Sequence, residues 1–364
     1  MREVAIKKKS SRRRKILKTV AIGCGTIAVV FAALVAWIGV EIYQAVQPVE
    51  LSDHHPFRSQ AKKERYLAHY DARAENWPVG SETRMVESSW GVTFVRISGP
   101  SDGAPLVLLP GANATSLLWG PNIAAFSRDH RVFAVDNIFD FGRSVYTRNL
   151  TTPDDFVAWL DELLDGLGLD RIRLVGLSYG GWIASQYALE RPDRVEKLVL
   201  IAPAATVLPL SADFIKRGIL CLIPHKHFVR GMVRWALADA AAGTEEQRRE
   251  VAEAVDNAWI GIRCFKPKQM VNPTIFSDDQ LRSIGPPTLF MVGENEVIYS
   301  GSGADAVRRI NEAAPEIQTE LIPNCGHDLT LVQPELVNRI ILDFLEPAIP
   351  DGPVPLGGSS AAAR

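Results

Sequence analysis

The chain has 364 residues, 47% of them hydrophobic and 23% charged, with a net charge of −2. That length supports one large core with additions. The near-neutral balance supplies no basic field for nucleic acid, and four cysteines are too few for a disulfide framework.

The charge is unevenly placed. Arg2, Lys7, Lys8, Lys9, Arg12, Arg13, Arg14, Lys15 and Lys18 crowd residues 1–18 against Glu3 alone. Residues 19–40 then carry no charge. A helix of that length, at 1.5 Å rise per residue, spans a hydrocarbon core of ~30 Å. Trp37 and Tyr43 near its far end suit an interfacial aromatic belt. The basic flank predicts a cytoplasmic N-terminus, a single-pass anchor over 19–40 and the body of the chain outside the cytoplasm. A cleaved signal peptide competes with this reading, but the apolar run is long for one and no A-x-A site follows it.

Residues 41–80 are polar and read as a juxtamembrane linker with one helix near Ala61–Arg73. His54-His55 lacks neighbours to complete a metal ligand set, so it reads as part of a solvated linker. Arg84–Glu87 and Val92–Ile97 alternate and predict a hairpin. Pro105–Leu109 is a continuous apolar run and predicts a buried strand; Arg131–Val135 is another. Thr152–Leu167 is an amphipathic helix with Thr152 as N-cap and Pro153 in its first turn. Strands follow at Arg171–Leu177, Val195–Ala202, Thr288–Val292 and Gln318–Ile322, and Pro334–Leu345 is a closing helix. Alternating strands and helices predict an α/β fold, a mostly parallel sheet with helices on both faces, over residues 81–205 and 286–346.

Residues 206–285 interrupt this core. They predict helices at Phe214–Leu222, His227–Ala240 and Glu245–Arg263, rich in Phe228, Met232, Trp235, Trp259 and Phe265. The expected role is a lid over the site. His225 and His227 belong to that lid rather than to the chemistry, and Cys221 and Cys264 leave a disulfide between them open. Residues 347–364, rich in Pro, Gly, Ser and Ala, are expected to be disordered.

The chemistry centres on Gly176-Leu177-Ser178-Tyr179-Gly180, a G-x-S-x-G pattern between a predicted strand and the helix that opens at Trp182. The turn is so tight that side chains two residues either side of the serine would clash. Glycines remove the clash and the hydroxyl is exposed on a strained backbone. A serine hydroxyl needs a base and the base needs an orienting acid. His327, in a loop between the last strand and the last helix, is the one histidine after the insertion. The acid belongs after Thr288–Val292, where Glu296 is the first choice and Glu294 the second. Asp328 adjoins His327 too closely to face it. An oxyanion needs two fixed donors: the N–H of Tyr179, and an N–H from Pro110-Gly111-Ala112-Asn113, with Ala112 the first choice.

Taken together, these motifs resemble the α/β-hydrolase family, in its lidded, carboxylesterase-like branch. Pro110-Gly111-Ala112 stands where many members have His-Gly-x. The stretch from Asp136 to Ser144 is similar to the family's D-x-x-G-x-G-x-S, and Arg191-Pro192-Asp193-Arg194-Val195 to its R-P-x-R-V turn. Gly293-Glu294-Asn295-Glu296 and Gly326-His327 occupy the acid and histidine positions, with Glu in place of the commoner Asp. The resemblance implies a serine hydrolase acting on a carboxylic ester through Ser178, Glu296 and His327, with no metal or organic cofactor; the apolar lid and the expected anchor together point to a lipophilic ester. The same triad would serve a lipase, thioesterase, carbon–carbon bond hydrolase, acyltransferase or cofactor-free haloperoxidase. A membrane-anchored binding protein without catalysis is the alternative of another class.

Overall fold

A computed structural model describes residues 32–346. The basic segment 1–18, most of the expected span 19–40 and the tail 347–364 lie outside the described residues. Among the described residues no helix is long and apolar enough to cross a membrane. Residues 32–45 form a first helix, α1.

Among the described residues nine strands make one sheet: β1 Ser81–Ser88, β2 Gly91–Ser98, β3 Ala104–Leu109, β4 His130–Val135, β5 Val145–Tyr146, β6 Ile172–Leu177, β7 Val195–Ile201, β8 Thr288–Gly293 and β9 Gln318–Ile322. The order is β1-β2-β4-β3-β6-β7-β8-β9, with β5 paired to β2. β1, β2 and β4 pair antiparallel, and every pair from β4 through β3 to β9 is parallel. The apolar runs explain this arrangement. Leu106 to Leu109 and Leu198 to Ile201 are buried on both faces, as strands covered by helices on two sides must be.

The helices are α2 Gln60–Ala74, α3 Gly120–Phe126, α4 Pro153–Leu167, α5 Tyr179–Glu190, α6 Ala212–Leu220, α7 Lys226–Ala236, α8 Ala238–Ala242, α9 Glu245–Cys264, α10 Asp278–Arg282, α11 Gly303–Ala313, α12 Leu329–Val332 and α13 Pro334–Leu345. α4 begins on a capping box in which the Thr152 hydroxyl accepts the Asp155 N–H and the Asp155 carboxylate accepts the Thr152 N–H. It ends at Gly168, whose φ of 72° suits glycine. α5 buries every residue from Tyr179 to Ala188, so it is apolar all round rather than amphipathic. It lies against β6 closely: a Cβ on Gly176 would fall 2.4 Å from the carbonyl oxygen of Gly180.

The chain leaves β3 for β4 on one side and reaches β6 on the other. The carboxyl ends of β3 and β6 therefore flank a topological switch point, where open α/β sheets form their binding crevice.

Two expectations need correction, and one open question is answered. Residues 41–80 are not a free linker. Tyr66, Tyr70 and Ala74 share one face of α2 at i, i+4, i+8, and both tyrosines are fully buried. Tyr66 and Phe57 pack on Phe265, with ring centroids 4.8 and 4.4 Å away, which joins this segment to the insertion. His55 is also buried, with Nε2 2.7 Å from the carbonyl oxygen of Tyr146, so it is a packing residue. The helix expected over His227–Ala240 breaks at Leu237 into α7 and α8. Cys221 and Cys264 do not pair; both are free thiols, as is Cys325.

Candidate active site

Ser178 sits between β6 and α5 with φ 54° and ψ −116°. A non-glycine residue rarely adopts such a φ, and holding it costs roughly 1–3 kcal/mol. The surroundings enforce it. The Ser178 N–H donates to Ile201 O at 2.9 Å, and Ser178 O accepts the N–H groups of Trp182 and Ala204 at 3.0 and 2.9 Å. From Leu174 to Ala188, Ser178 is the one residue that is only partly buried. The N-terminus of α5 starts at the next residue, so its unpaired N–H groups face the hydroxyl's side of the turn.

The acid turn follows β8. Glu296 is buried, and its Oε1 accepts the N–H groups of Val297 and Ile298 at 2.8 and 2.9 Å. Its Oε2 lies 3.0 Å from Nδ1 of His327. A carboxylate accepts, so Nδ1 carries the proton and Nε2 is the nitrogen left to act as base. Burial works to lower the His327 pKa, but the charge and hydrogen bond of Glu296 outweigh it, and the imidazole stands above its ordinary value.

Glu294, the second choice, is exposed and turned elsewhere: its Oε2 accepts the Asn324 N–H at 3.3 Å. It stitches the acid turn to the histidine loop, as do the bonds from Glu294 N–H to Ile322 O and from Asn295 N–H to Cys325 O, both 2.9 Å. The two loops touch so closely that a Cβ on Gly293 would lie 2.3 Å from Gly326 O. Asp328 does not face the imidazole. Its carboxylate accepts the N–H groups of Ala240 and Gly326, at 2.7 and 3.3 Å, and ties the histidine loop to the insertion. His225 and His227 bond to each other across one turn, where Nδ1 of His225 accepts the His227 N–H at 3.1 Å.

The loop after β3 crosses over the serine. A Cβ on Gly111 would lie 3.3 Å from the Ser178 Cβ. Asn113 has φ 61°. Its N–H is already committed to Asp140 Oδ2 at 2.9 Å, and its carbonyl accepts from Asn257 at 3.1 Å. Ala112 itself is exposed on this loop. Among the described residues neither Ala112 N–H nor Tyr179 N–H meets a loop, turn or side-chain acceptor.

Sequence reasoning missed two supports beneath this loop. Asp136, buried after β4, accepts the N–H groups of Ser116 and Arg143 at 2.7 and 2.9 Å and the Tyr70 hydroxyl at 3.4 Å. Asp140 holds Asn113 as described. Both stand in the Asp136–Ser144 stretch, whose resemblance to a family motif was their one signal. Among the described residues no cluster of three or more His, Cys, Asp or Glu side chains is arranged to hold a metal.

Ser178, Glu296, His327 and Ala112 follow β6, β8, β9 and β3, so all four stand beyond the carboxyl edge of one parallel sheet. A strained serine at a strand-to-helix turn, with a carboxylate–histidine pair beyond neighbouring strands, defines a serine-type hydrolase architecture. The chain belongs to the alpha/beta hydrolase family, whose pattern matches residues 106–340. It is 35% identical to carboxylesterase YbfK of Bacillus subtilis over 282 residues, 77% of this chain and 93% of that protein. Against the uncharacterized carboxylesterase nap of the same organism it is 34% identical, over 77% of this chain and 92% of nap. The crystal structure of naproxen esterase (carboxylesterase NP) from Bacillus subtilis superposes with a TM-score of 0.71 at 32% identity, covering 82% of this chain and all of that one.

Proposed function

We propose that this chain is a serine esterase that cleaves carboxylic esters through an acyl-enzyme. The observation that carries the reading is the Ser178 elbow, a φ of 54° at the head of α5 with the Gly111–Asn113 loop directly over it. The carboxylesterase relatives supply the substrate class.

Ser178 Oγ attacks the ester carbonyl as Nε2 of His327 takes its proton. Glu296 holds the imidazole in the Nδ1–H tautomer and stabilises the imidazolium that forms. The negative charge on the carbonyl oxygen is met by the N–H groups of Tyr179 and Ala112, an arrangement in which each donor supplies on the order of 10²–10³ in rate. The imidazolium then protonates the leaving alcohol, and water releases the acyl group by the same steps in reverse order.

Helices α6 to α9 follow β7 and carry Asn257 against the oxyanion loop and Ala240 against the histidine loop. We assign them the role of a lid that sets acyl and alcohol size. Residues 19–40 act as a single-pass anchor with the basic segment on the cytoplasmic side; the uncharged run and its basic flank support this.

A fluorophosphonate probe tests the nucleophile. The expected result is one covalent adduct, mapped to the peptide carrying Ser178 and absent from Ser178→Ala. A protein that stays unlabelled while folded would instead be a binding scaffold.

A further inference from the structure

A cavity of about 640 Å³ lies between α1, the insertion and the loop after β3. One of its walls adjoins the proposed oxyanion loop, and another is tied to the Tyr179 side chain. Asn113 directly follows Ala112. Met270 precedes Val271, whose carbonyl accepts the Tyr179 hydroxyl at 2.8 Å. Phe141 and Phe265 make the deep surface apolar. The charges on the walls run one way: Arg58, Lys62, Arg263, Lys266 and Lys268 against Glu41, which is paired with Arg58 at 2.8 Å.

Lys268 stands out among these. Its side chain is 8% exposed, and its Nζ has no hydrogen-bond acceptor among the described residues. The nearest carboxylate oxygen, Asp140 Oδ1, is 3.9 Å away, beyond hydrogen-bond reach. Both Asp140 oxygens are engaged already, Oδ1 by the Phe141 N–H at 2.7 Å and Oδ2 by the Asn113 N–H at 2.9 Å. The rings of Phe139 and Phe141, with centroids 5.4 and 5.3 Å from Nζ, favour the cation but offer it no acceptor. Burial brings the ammonium pKa down to about 8 against the opposing pull of Asp140. The ammonium is thus charge-paired with Asp140 but lacks a hydrogen-bond acceptor, in a cavity whose other charges are mostly positive, and such surroundings favour an anion.

We infer that the cavity takes an ester whose apolar body ends in a carboxylate, with Lys268 Nζ binding that carboxylate. The inference rests on the esterase reading and narrows its substrate class to anionic amphiphilic esters. Lys268 fixes the remote end of the substrate, and the apolar walls hold the chain that leads back to Ser178.

The test compares the full chain in detergent micelles on two probes of equal chain length, mono-p-nitrophenyl nonanedioate and p-nitrophenyl nonanoate. The readout is the ratio of their kcat/KM values, which does not depend on the fraction of protein folded. The wild type is expected to favour the carboxylate ester by about tenfold or more, the scale of a hydrogen bond to a charged group. Lys268→Met is expected to reverse the preference and Lys268→Arg to restore part of it. A wild type that favours the neutral ester overturns the proposal even if neither variant folds. So does a Lys268→Met ratio equal to that of the wild type. If p-nitrophenyl acetate is also inert and no fluorophosphonate adduct forms, the esterase reading itself has failed.

Discussion

Glu296 and His327 meet 3.0 Å apart between two loops that neighbouring strands bring together. The second oxygen of Glu296 is held by two backbone N–H groups, so the carboxylate cannot turn away from the imidazole. Glu296→Gln leaves the shape intact but supplies an amide where the Nδ1–H needs a carboxylate. We predict a fall in kcat/KM on the order of 10³-fold or more, in line with the cost of losing the triad acid elsewhere. Glu294→Gln, which loosens one backbone bond, should stay within about fivefold. Steady-state kinetics on one p-nitrophenyl ester decide it, and the reverse ranking would transfer the role to Glu294.

On the proposed mechanism the acid limb of the pH profile reports His327. Its pKa is raised by Glu296, and only the neutral imidazole accepts the serine proton. Activity should therefore fall as pH drops through a value above the ordinary 6.5 for histidine. In Glu296→Gln the raising charge is gone. The limb should then move to lower pH while the plateau drops. A limb that stays in place would mean that another group titrates.

Two glycines make a paired stability test. A Cβ on Gly176 would press on the carbonyl oxygen of Gly180 at 2.4 Å, backbone against backbone with no side chain to yield. Gly176→Ala is expected to lose several kcal/mol and to lower Tm sharply or abolish soluble expression. Gly231 lies inside α7 with nothing within 4 Å of its added Cβ. Gly231→Ala should gain about 0.5–1 kcal/mol from helix propensity. Thermal unfolding of the two variants reads both signs.

Much of the candidate site was legible because its signals are local. Ser178 was marked by glycines two residues either side, His327 and Glu296 by their positions after apolar strands. Pro334–Leu345 could be bounded to the residue because Pro334 starts it and the apolar spacing ends at Leu345. What escaped depends on contacts distant in sequence. Tyr66 and Tyr70 sit among charged residues, and only the arrival of Phe57, Phe94 and Phe265 turns their face of α2 into a core. The two-residue β5 is too short for any periodicity. Lys268 reads as a surface lysine until Phe139, Phe141 and Asp140, more than a hundred residues earlier, enclose it.

The proposed mechanism depends first on Ser178 as the nucleophile. The most direct measurement is turnover of p-nitrophenyl esters from acetate to palmitate by the wild type and by Ser178→Ala, each checked for folding by its Tm. The wild type is expected to turn over at least one member of the series and Ser178→Ala to lose on the order of 10⁴-fold or more in kcat, the scale seen when a catalytic serine is removed. A folded Ser178→Ala that keeps activity within tenfold of the wild type would contradict it.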